Sequence, residues 1–329
     1  MGASLSYPEV DLSGKVAVVT GGNTGIGYET GKALARMGAR VILACRSEKR
    51  AKEAIKRMRS ELVEASHVDI DVEYMALDLS SLASARDFAK AYLARRLPLH
   101  LLILNAGIAM INPLQLTDDG LEKQFQVNYL GHLLIVLLLL ELLGANGPDV
   151  RVVSVSSSGH QFANFDLTNI NGFKSYSRVT FYGNSKLYQI MMSYYLQKRL
   201  LNSEICFSSV HPGVVKTEIA RGHEDSIILT AFSKISYGIG AARSPEKGAA
   251  TTINTAVNPA FANKKALYFE DCKPVAPRRA ARNEIHHEEL WAYSIKLLRK
   301  YIDDDCAAKL TDMGLTIPPS AASLDQQDD

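Results

Sequence analysis

Short apolar segments alternate with longer amphipathic segments along most of the chain. Residues 16–19 and 99–104, for example, are apolar at nearly every position, which is typical of strands buried on both faces. Such strands, alternating with helices, predict an α/β protein with a doubly wound, mostly parallel sheet, helices on both faces and a ligand site at the carboxyl ends of the strands. We predict strands at 15–20, 40–45, 71–77, 99–104, 150–155, 205–210 and 266–269. We predict helices at 26–37, 46–65, 80–95 and 117–143, and a further helix that includes Tyr182 and ends at about residue 201.

This pattern assigns most of the chain to one domain, residues 12–310. Residues 1–11 precede the first strand and are predicted to be an N-terminal extension. The segment 221–243 mixes glycines with apolar residues and is predicted to be a loop on the substrate side. Residues 316–329 contain Pro318-Pro319 and end in aspartates, so we predict a disordered tail.

The balance of charge argues against nucleic acid as a partner. The 329 residues carry 37 Lys and Arg against 35 Asp and Glu, a formal net charge of +2. The basic residues at 49–59 are interleaved with glutamates and are interpreted as the solvated face of a helix. The charge balance thus predicts no general affinity for nucleic acid, and the partner that we expect is a small-molecule substrate.

The cysteines and histidines do not predict a metal site. The four cysteines lie far apart in the sequence, and the histidines lack metal-ligand spacing. We expect reduced thiols in a cytoplasmic protein.

Two features concern membrane contact. The longest apolar run, Leu133 to Leu140, is too short to span a bilayer and is predicted to be part of a buried helix. Residues 1–6 fit the pattern for myristoylation of Gly2. Because one acyl chain binds membranes weakly, we expect at most peripheral association.

A glycine-rich turn follows the first strand directly, at the point where a helix is predicted to begin. Glycines there permit a tight turn, and the helix amide groups and dipole favour a pyrophosphate. The turn therefore predicts a dinucleotide site, although a structural turn is the alternative. Its candidate binding residues are Gly21, Asn23, Thr24, Gly25, Ile26 and Gly27.

The end of the second strand indicates which dinucleotide binds. NAD sites commonly have an acidic residue there, for the ribose 2′-hydroxyl. Here the strand ends in Arg46, and a guanidinium suits a 2′-phosphate. We therefore predict NADP(H), with NAD(H) less favoured.

Tyr182 and Lys186 are the strongest candidates for catalysis. Four positions apart on a helix, they project from one face. An ammonium beside a phenol is expected to lower the pKa of the phenol, which makes the pair a plausible general acid–base device for carbonyl and alcohol interconversion.

Together these segments resemble the short-chain dehydrogenase/reductase family over about residues 12–270. Within it, the segments at 43–46, 128–132, 211–213 and 248–252 are similar to the retinol dehydrogenase branch and to WW-domain-containing oxidoreductases. We expect no N-terminal membrane helix of the kind found in retinol dehydrogenases, which argues against a retinoid substrate.

The resemblance implies a Rossmann fold, an NADP(H)-dependent enzyme and a set of site residues. The implied catalytic residues are Asn128, Ser157, Tyr182 and Lys186. Tyr182 would protonate the carbonyl oxygen, Ser157 would position it, and Lys186 would also bind the nicotinamide ribose. The further implied cofactor residues are Asp78, Leu79, Asn105, Ala106, Gly107, Pro212, Gly213, Val215 and Thr217.

The sequence leaves the identity of the substrate and the oligomeric state open. Aromatic residues could wall an apolar pocket for a retinoid, steroid or lipid carbonyl, or could simply anchor a long loop. They are Phe162, Phe165, Phe173, Tyr176 and Phe181, with Ile227, Ile228, Leu229 and Phe232 further on. The resemblance also implies that the helix carrying Tyr182 can contribute to a homo-oligomer. A non-catalytic NADP(H)-sensing adaptor is the alternative function.

Overall fold

The computed structural model describes residues 5–66, 69–200, 203–215, 242–265 and 267–319. Eight strands form one sheet: β1 Val16–Thr20, β2 Arg40–Cys45, β3 Val72–Ala76, β4 Leu101–Leu104, β5 Val150–Val155, β6 Ile205–His211, β7 Leu267–Glu270 and β8 Lys273–Val275. Their order is β3-β2-β1-β4-β5-β6-β7-β8. All neighbours are parallel except β7 and β8. The predicted mostly parallel sheet is therefore confirmed.

Helices cover both faces of this sheet. They are α1 Gly25–Arg36, α2 Glu48–Ser66, α3 Leu82–Ala94, α4 Lys123–Ala145, α5 Arg178–Arg199, α6 Pro245–Val257, α7 Glu284–Leu298 and α8 Asp304–Asp312. One core lies under α3, α4 and α5, and the other under α1, α2 and α6. The doubly wound architecture is confirmed. Periodicity did not predict α6, because residues 248–257 are buried all round and leave no polar stripe.

Helix α4 differs from its predicted bounds. It begins at Lys123 rather than near residue 117, because Thr117 to Leu121 fold into a turn in which the Thr117 N–H donates to the Leu121 carbonyl at 2.8 Å. The Glu122 carboxylate then caps the helix by accepting from the Phe125 N–H at 2.7 Å. Residues 126–130 form a π-helical turn before the α-helix resumes.

The same helix is long and apolar enough to cross a membrane, with a mean hydropathy of 1.9 over its best window. It lies instead inside the domain, where Leu133, Leu137 and Leu140 are at most 1% exposed. The apolar run therefore belongs to a buried core helix, as predicted.

One face of α5 is covered by the C-terminal helix α7. The Tyr195 ring stacks on Trp291 with centroids 4.6 Å apart. On the neighbouring helix α4, the Tyr129 hydroxyl lies 2.8 Å from the Ser294 hydroxyl of α7. Met191 on this face is fully buried within the chain. Self-association through this face of α5 would therefore require α7 to move.

The N-terminal extension lies against the domain from Leu5 onward. The Leu12 N–H donates to the Met37 carbonyl at 2.8 Å, and Tyr7 and Val10 pack against the core under α1. Residues 1–4, which include Gly2 and its predicted modification, lie outside the described residues.

The first residues of the predicted tail, 316–319, contact the domain. Trp291 Nε1 donates to the Thr316 carbonyl at 3.1 Å, and Arg299 Nε donates to the Pro318 carbonyl at 2.7 Å. Residues 320–329 lie outside the described part of the chain.

Candidate active site

A cavity of about 690 Å³ opens at the carboxyl ends of the strands, where β1 and β4 meet and the strand order reverses. This is the position at which doubly wound proteins bind their ligands. Nearly all of the predicted site residues line it: Gly21, Asn23, Thr24, Gly25, Ile26, Gly27, Arg46, Asp78, Leu79, Asn105, Ala106, Gly107, Ser157, Tyr182, Lys186, Pro212, Gly213 and Val215. Asn128 lies behind the wall, and Thr217 falls outside the described residues.

The first turn of α1 fits a pyrophosphate. Gly21 and Gly25 have positive φ angles of 65° and 57°, which L side chains rarely adopt. A Cβ on Gly27 would lie 2.4 Å from Asn105 Nδ2, so the turn also packs too closely for a side chain. In the described structure the Thr24 side chain does not cap α1 and the first turn carries no acidic residue, which leaves the amide groups for an anion.

Asn105 ties this turn to β4. Its Nδ2 donates to the Thr20 carbonyl at 2.9 Å, and the Asn105 and Ala106 N–H groups both donate to Thr20 Oγ1 at 2.9 Å. These bonds hold the two strand ends together across the switch point, so that the glycine turn and β4 border the same cleft.

The cavity has a positive lining. The side chains of Arg46, Arg50 and Lys123 contribute positive charge to it, and Lys186 contributes an amine, while Asp78 is the one carboxylate among the described lining residues. The Asp78 Oδ1 accepts from the Ser80 N–H at 2.9 Å and from the Ser80 hydroxyl at 2.6 Å. The field therefore favours a polyanionic ligand such as a dinucleotide.

Helix α5 brings Tyr182 and Lys186 to the cavity wall, one turn apart. The Ser177 hydroxyl caps the helix by accepting from the Thr180 N–H. The Lys186 side chain is 3% exposed, and its Nζ donates to the Val155 carbonyl and to Gln189 Oε1, both at 2.9 Å. Burial lowers the pKa of Lys186 to about 7.

The expected effect of Lys186 on Tyr182 is not found. Burial raises the pKa of Tyr182, and the opposing influence is a hydrogen bond with Ser157 rather than the ammonium. Lys186 Nζ lies 5.8 Å from the centroid of the Tyr182 ring and donates to Val155 and Gln189, but burial lowers the pKa of Lys186 itself, so its positive charge is disfavoured beside the phenol. The phenol is therefore held protonated in this state of the protein.

Ser157 lies two residues after the end of β5, in an extended conformation, and begins the next turn. Its Oγ accepts from the Gly159 N–H at 3.0 Å and interacts with Tyr182. A Cβ on Gly159 would lie 3.0 Å from the Tyr182 ring, so a glycine here lets the serine and the phenol meet.

Asn128 lies in the π-helical turn of α4 and is fully buried. Its Oδ1 accepts from the Ile108 N–H at 2.8 Å, and its Nδ2 donates to Ser185 Oγ at 2.8 Å. A Cβ on Gly107 would lie 3.2 Å from Asn128 Oδ1 and 3.5 Å from Lys186 Nζ, so both side chains flank this glycine. The structure thus places Asn128 next to Lys186, while the role of Asn128 in catalysis stays a prediction.

The aromatic residues after Ser157 divide into two groups. Only Phe162, which is 68% exposed, lines the cavity among the described members of the predicted wall. Tyr176 donates to the Ile111 carbonyl at 2.7 Å and packs on Phe181, and Phe165 stacks on His286. These three anchor the loop, which was the alternative interpretation; Phe173 is 71% exposed.

The rest of the predicted wall lies outside the described residues: Ile227, Ile228, Leu229 and Phe232. The loop prediction for 221–243 likewise lies almost wholly outside them. Several lining residues were not predicted as site residues: Ser47, Arg50, Met110, Val179 and His211. Arg50 belongs to the charged helix that was interpreted as a solvated face, and its place three residues into α2 was the available signal.

A cleft of this shape and charge, at the switch point of a doubly wound sheet, places the protein among the dinucleotide-binding α/β proteins. The comparisons with known proteins are more specific. The short chain dehydrogenase family model matches residues 15–227. Mouse retinol dehydrogenase 11 is 40% identical over 303 residues, which cover 92% of this chain and 92% of that protein. Chicken WW domain-containing oxidoreductase is 38% identical over 302 residues, covering 89% of this chain and 70% of its own.

Solved structures agree on the fold. An uncharacterised protein from Mycobacterium paratuberculosis superposes with a TM-score of 0.69 at 29% identity, covering 88% of this chain and 95% of its own. The Pseudomonas aeruginosa RhlG/NADP active-site complex gives a TM-score of 0.60 at 26% identity, with 80% and 96% covered. The chain belongs to the short chain dehydrogenase family. It is an NAD(P)(H)-dependent oxidoreductase that acts on CH–OH or C=O groups.

Proposed function

We propose that this protein is an NADP(H)-dependent enzyme that interconverts a carbonyl and an alcohol on a hydrophobic substrate. The observation that carries the proposal is the convergence of Ser157, Tyr182 and Lys186 in one cation-lined cavity with the glycine turn. A phenol, a hydroxyl and an ammonium at the end of a dinucleotide cleft are suited to hold and protonate a carbonyl oxygen.

The preference for NADP(H) is supported by the residues at the end of β2. Arg46 is exposed there, and Ser47 and Arg50 line the cavity beside it. A guanidinium and a hydroxyl can bond a 2′-phosphate, whereas a ribose 2′-hydroxyl is usually bound by a carboxylate. Among the described lining residues, the β2 end contributes no carboxylate.

The hydrophobic substrate is supported by the side chains near the catalytic residues. Met110, Phe162 and Val179 line the cavity, and all three are apolar or aromatic. A retinoid, steroid or lipid aldehyde or ketone would bury its chain against them. The relatives named retinol dehydrogenase are consistent with this class.

The chain's own residues would perform the proton chemistry, while a bound nicotinamide would supply or accept the hydride. Because burial raises the pKa of Tyr182, the phenol stays protonated at neutral pH and can act as the acid in the reductive direction. Ser157 would donate to the substrate oxygen and hold it against Tyr182. Lys186 would bind the nicotinamide ribose, in keeping with its place one turn from Tyr182.

The alternative function, a non-catalytic sensor of NADP(H), is less well supported. A sensor needs the cofactor cleft but not the acid–base residues, and here all of these are placed in or beside the cavity. The similarity to WW domain-containing oxidoreductase does not in itself favour a sensor function for this chain.

The test is NADPH oxidation by the purified protein across aldehydes and ketones, including all-trans-retinal and a steroid ketone. Tyr182→Phe should still bind NADPH and should lose turnover. Tyr188→Phe is the matched control, because this tyrosine lies on the same helix and its buried hydroxyl has no hydrogen-bond partner among the described residues. Full activity in Tyr182→Phe would refute the acid role. Tight NADPH binding without turnover on any substrate would favour the sensor.

A further inference from the structure

Both polar groups of the peptide bond between Ser157 and Ser158 are bound by histidines. His160 Nδ1 lies 2.7 Å from the Ser157 carbonyl oxygen, and the Ser158 N–H donates to His211 Nδ1 at 3.1 Å. We propose that His160 and His211 are positioning residues, which clamp this peptide bond between them and thereby orient the Ser157 hydroxyl for the reaction. The proposal rests on the proposed catalytic function of Ser157.

The partners of His160 fix its tautomer. The Ser157 carbonyl can only accept, so Nδ1 must carry the proton and donate it. Nε2 must then be unprotonated, and it accepts from the Arg278 N–H at 3.3 Å. The ring is 1% exposed and packs edge-on against Tyr268 with centroids 5.4 Å apart. Its orientation is thus determined from three sides.

The partners of His211 require the opposite tautomer. The Ser158 N–H can only donate, so Nδ1 is the acceptor and the ring proton lies on Nε2. That nitrogen points toward Glu270, whose Oε1 is 3.9 Å away. Burial, Arg243 and His160 lower the pKa of His211 to about 4, so the neutral ring persists at physiological pH. Burial and the charge of Arg278 likewise lower the pKa of His160.

The clamp joins three parts of the fold at the catalytic serine. His160 belongs to the turn after β5, and His211 is the last residue of β6. Arg278 lies after β8, and its side chain donates to the carbonyls of Gln161 at 3.0 Å and Ala163 at 2.6 Å. The backbone before Ser157 is held by β5 and by the bond from the Ser156 N–H to the Val210 carbonyl at 2.8 Å. With that side fixed, holding the plane of the 157–158 peptide restrains the backbone ψ angle of Ser157 and the direction of its side chain. A shift of about 1 Å in a reacting group can cost about 100-fold in rate.

Side-chain amides can replace each imidazole nitrogen selectively. Asparagine at 160 can place an N–H where Nδ1 lies and so keep the bond to Ser157, whereas glutamine reaches the Nε2 position and loses it. We expect His160→Gln to lower kcat by about 10- to 100-fold with unchanged NADPH affinity, and His160→Asn to retain most of the activity. For His211, asparagine should again rescue, since its Oδ1 can accept from Ser158, and leucine should not.

A purely structural role predicts a different result. Both variants at each position would then lose activity in proportion to their loss of folded protein, as measured by urea unfolding, with no split between kcat and KM. Equal kcat values for His160→Asn and His160→Gln, in protein that is folded and binds NADPH, would overturn the clamp.

A second measurement does not depend on turnover. Long-range ¹H–¹⁵N correlation spectra of histidine-labelled full-length protein distinguish the two neutral tautomers, and the His160→Asn and His211→Asn variants assign the two signals among the eight histidines. We expect a proton on Nδ1 of His160 and on Nε2 of His211. The reverse tautomer at either ring would refute the clamp even in active protein. Absence of turnover in the wild type, with these tautomers present, would instead count against the proposed function.

Discussion

The buried ammonium of Lys186 should give the cofactor-free protein an unusual dependence of stability on pH. Its pKa falls from 10.5 to about 7 on burial, which at about 1.4 kcal/mol per pH unit corresponds to about 5 kcal/mol of disfavoured charge. The sign follows from proton binding. Between about pH 7 and pH 10 the unfolded chain holds the proton and the folded protein does not, so stability rises with pH in this window. The destabilisation is fully present below about pH 7.

Lys186→Met removes this titration and leaves a side chain of similar length. The methionine also leaves the Val155 carbonyl and Gln189 Oε1 without their donor, but that loss does not vary with pH. The slope rather than the absolute stability is therefore diagnostic. From about pH 7 to about pH 9, the free energy of unfolding of the wild type should rise relative to the variant by about 2 kcal/mol.

The assay is urea unfolding followed by circular dichroism at several pH values, on protein freed of cofactor. Lys90→Met is the control, because Lys90 is exposed on α3 and its removal should leave the slope unchanged. Parallel pH profiles for the wild type and Lys186→Met would refute the claim that burial disfavours the Lys186 charge.

Two further predictions concern the cofactor and the C-terminal helix. Arg46→Asp should weaken NADPH binding by about 10-fold or more and have little effect on NADH, since a charge-assisted bond contributes about 1.5–3 kcal/mol. Fluorescence titration measures the two Kd values, and an unchanged ratio would contradict the 2′-phosphate role of Arg46. Trp291→Ala should destabilise the fold by about 3–5 kcal/mol, because the stack on Tyr195 is lost. Ile285→Ala on the same helix should have little effect, because Ile285 is 70% exposed. Equal free energies of unfolding for the two variants, measured in urea, would contradict a structural role of α7 as a cover.

Local signals in the sequence located most of the cofactor site. The glycine turn, Arg46 and the Tyr182–Lys186 pair each depend on residues close together in the chain, and each lies at the predicted edge of the sheet. The order of strands and helices was predictable for the same reason, because each apolar strand and amphipathic helix carries its own pattern.

The missing parts depend on contacts between distant segments. His160 and His211 are 51 positions apart, and no spacing rule indicates that one peptide bond would bring them together. The start of α4 was misplaced because its capping residue, Glu122, follows a turn whose sequence continues the helical pattern. The hydrogen-bond partners that fix the two tautomers and the burial that lowers the pKa of Lys186 are both properties of the packed domain.

The same burial acts on both members of the acid–base pair in one direction. It raises the pKa of Tyr182 and lowers that of Lys186, so in each case the uncharged form is favoured. A ligand that brings negative phosphates into this cavity would favour the charged form of Lys186, because opposite charges attract strongly where water is excluded. The rise of stability with pH should consequently diminish when NADPH is bound. Lys186 would then lower the pKa of Tyr182 only in the enzyme with bound cofactor. In the cofactor-free protein, both side chains would be uncharged.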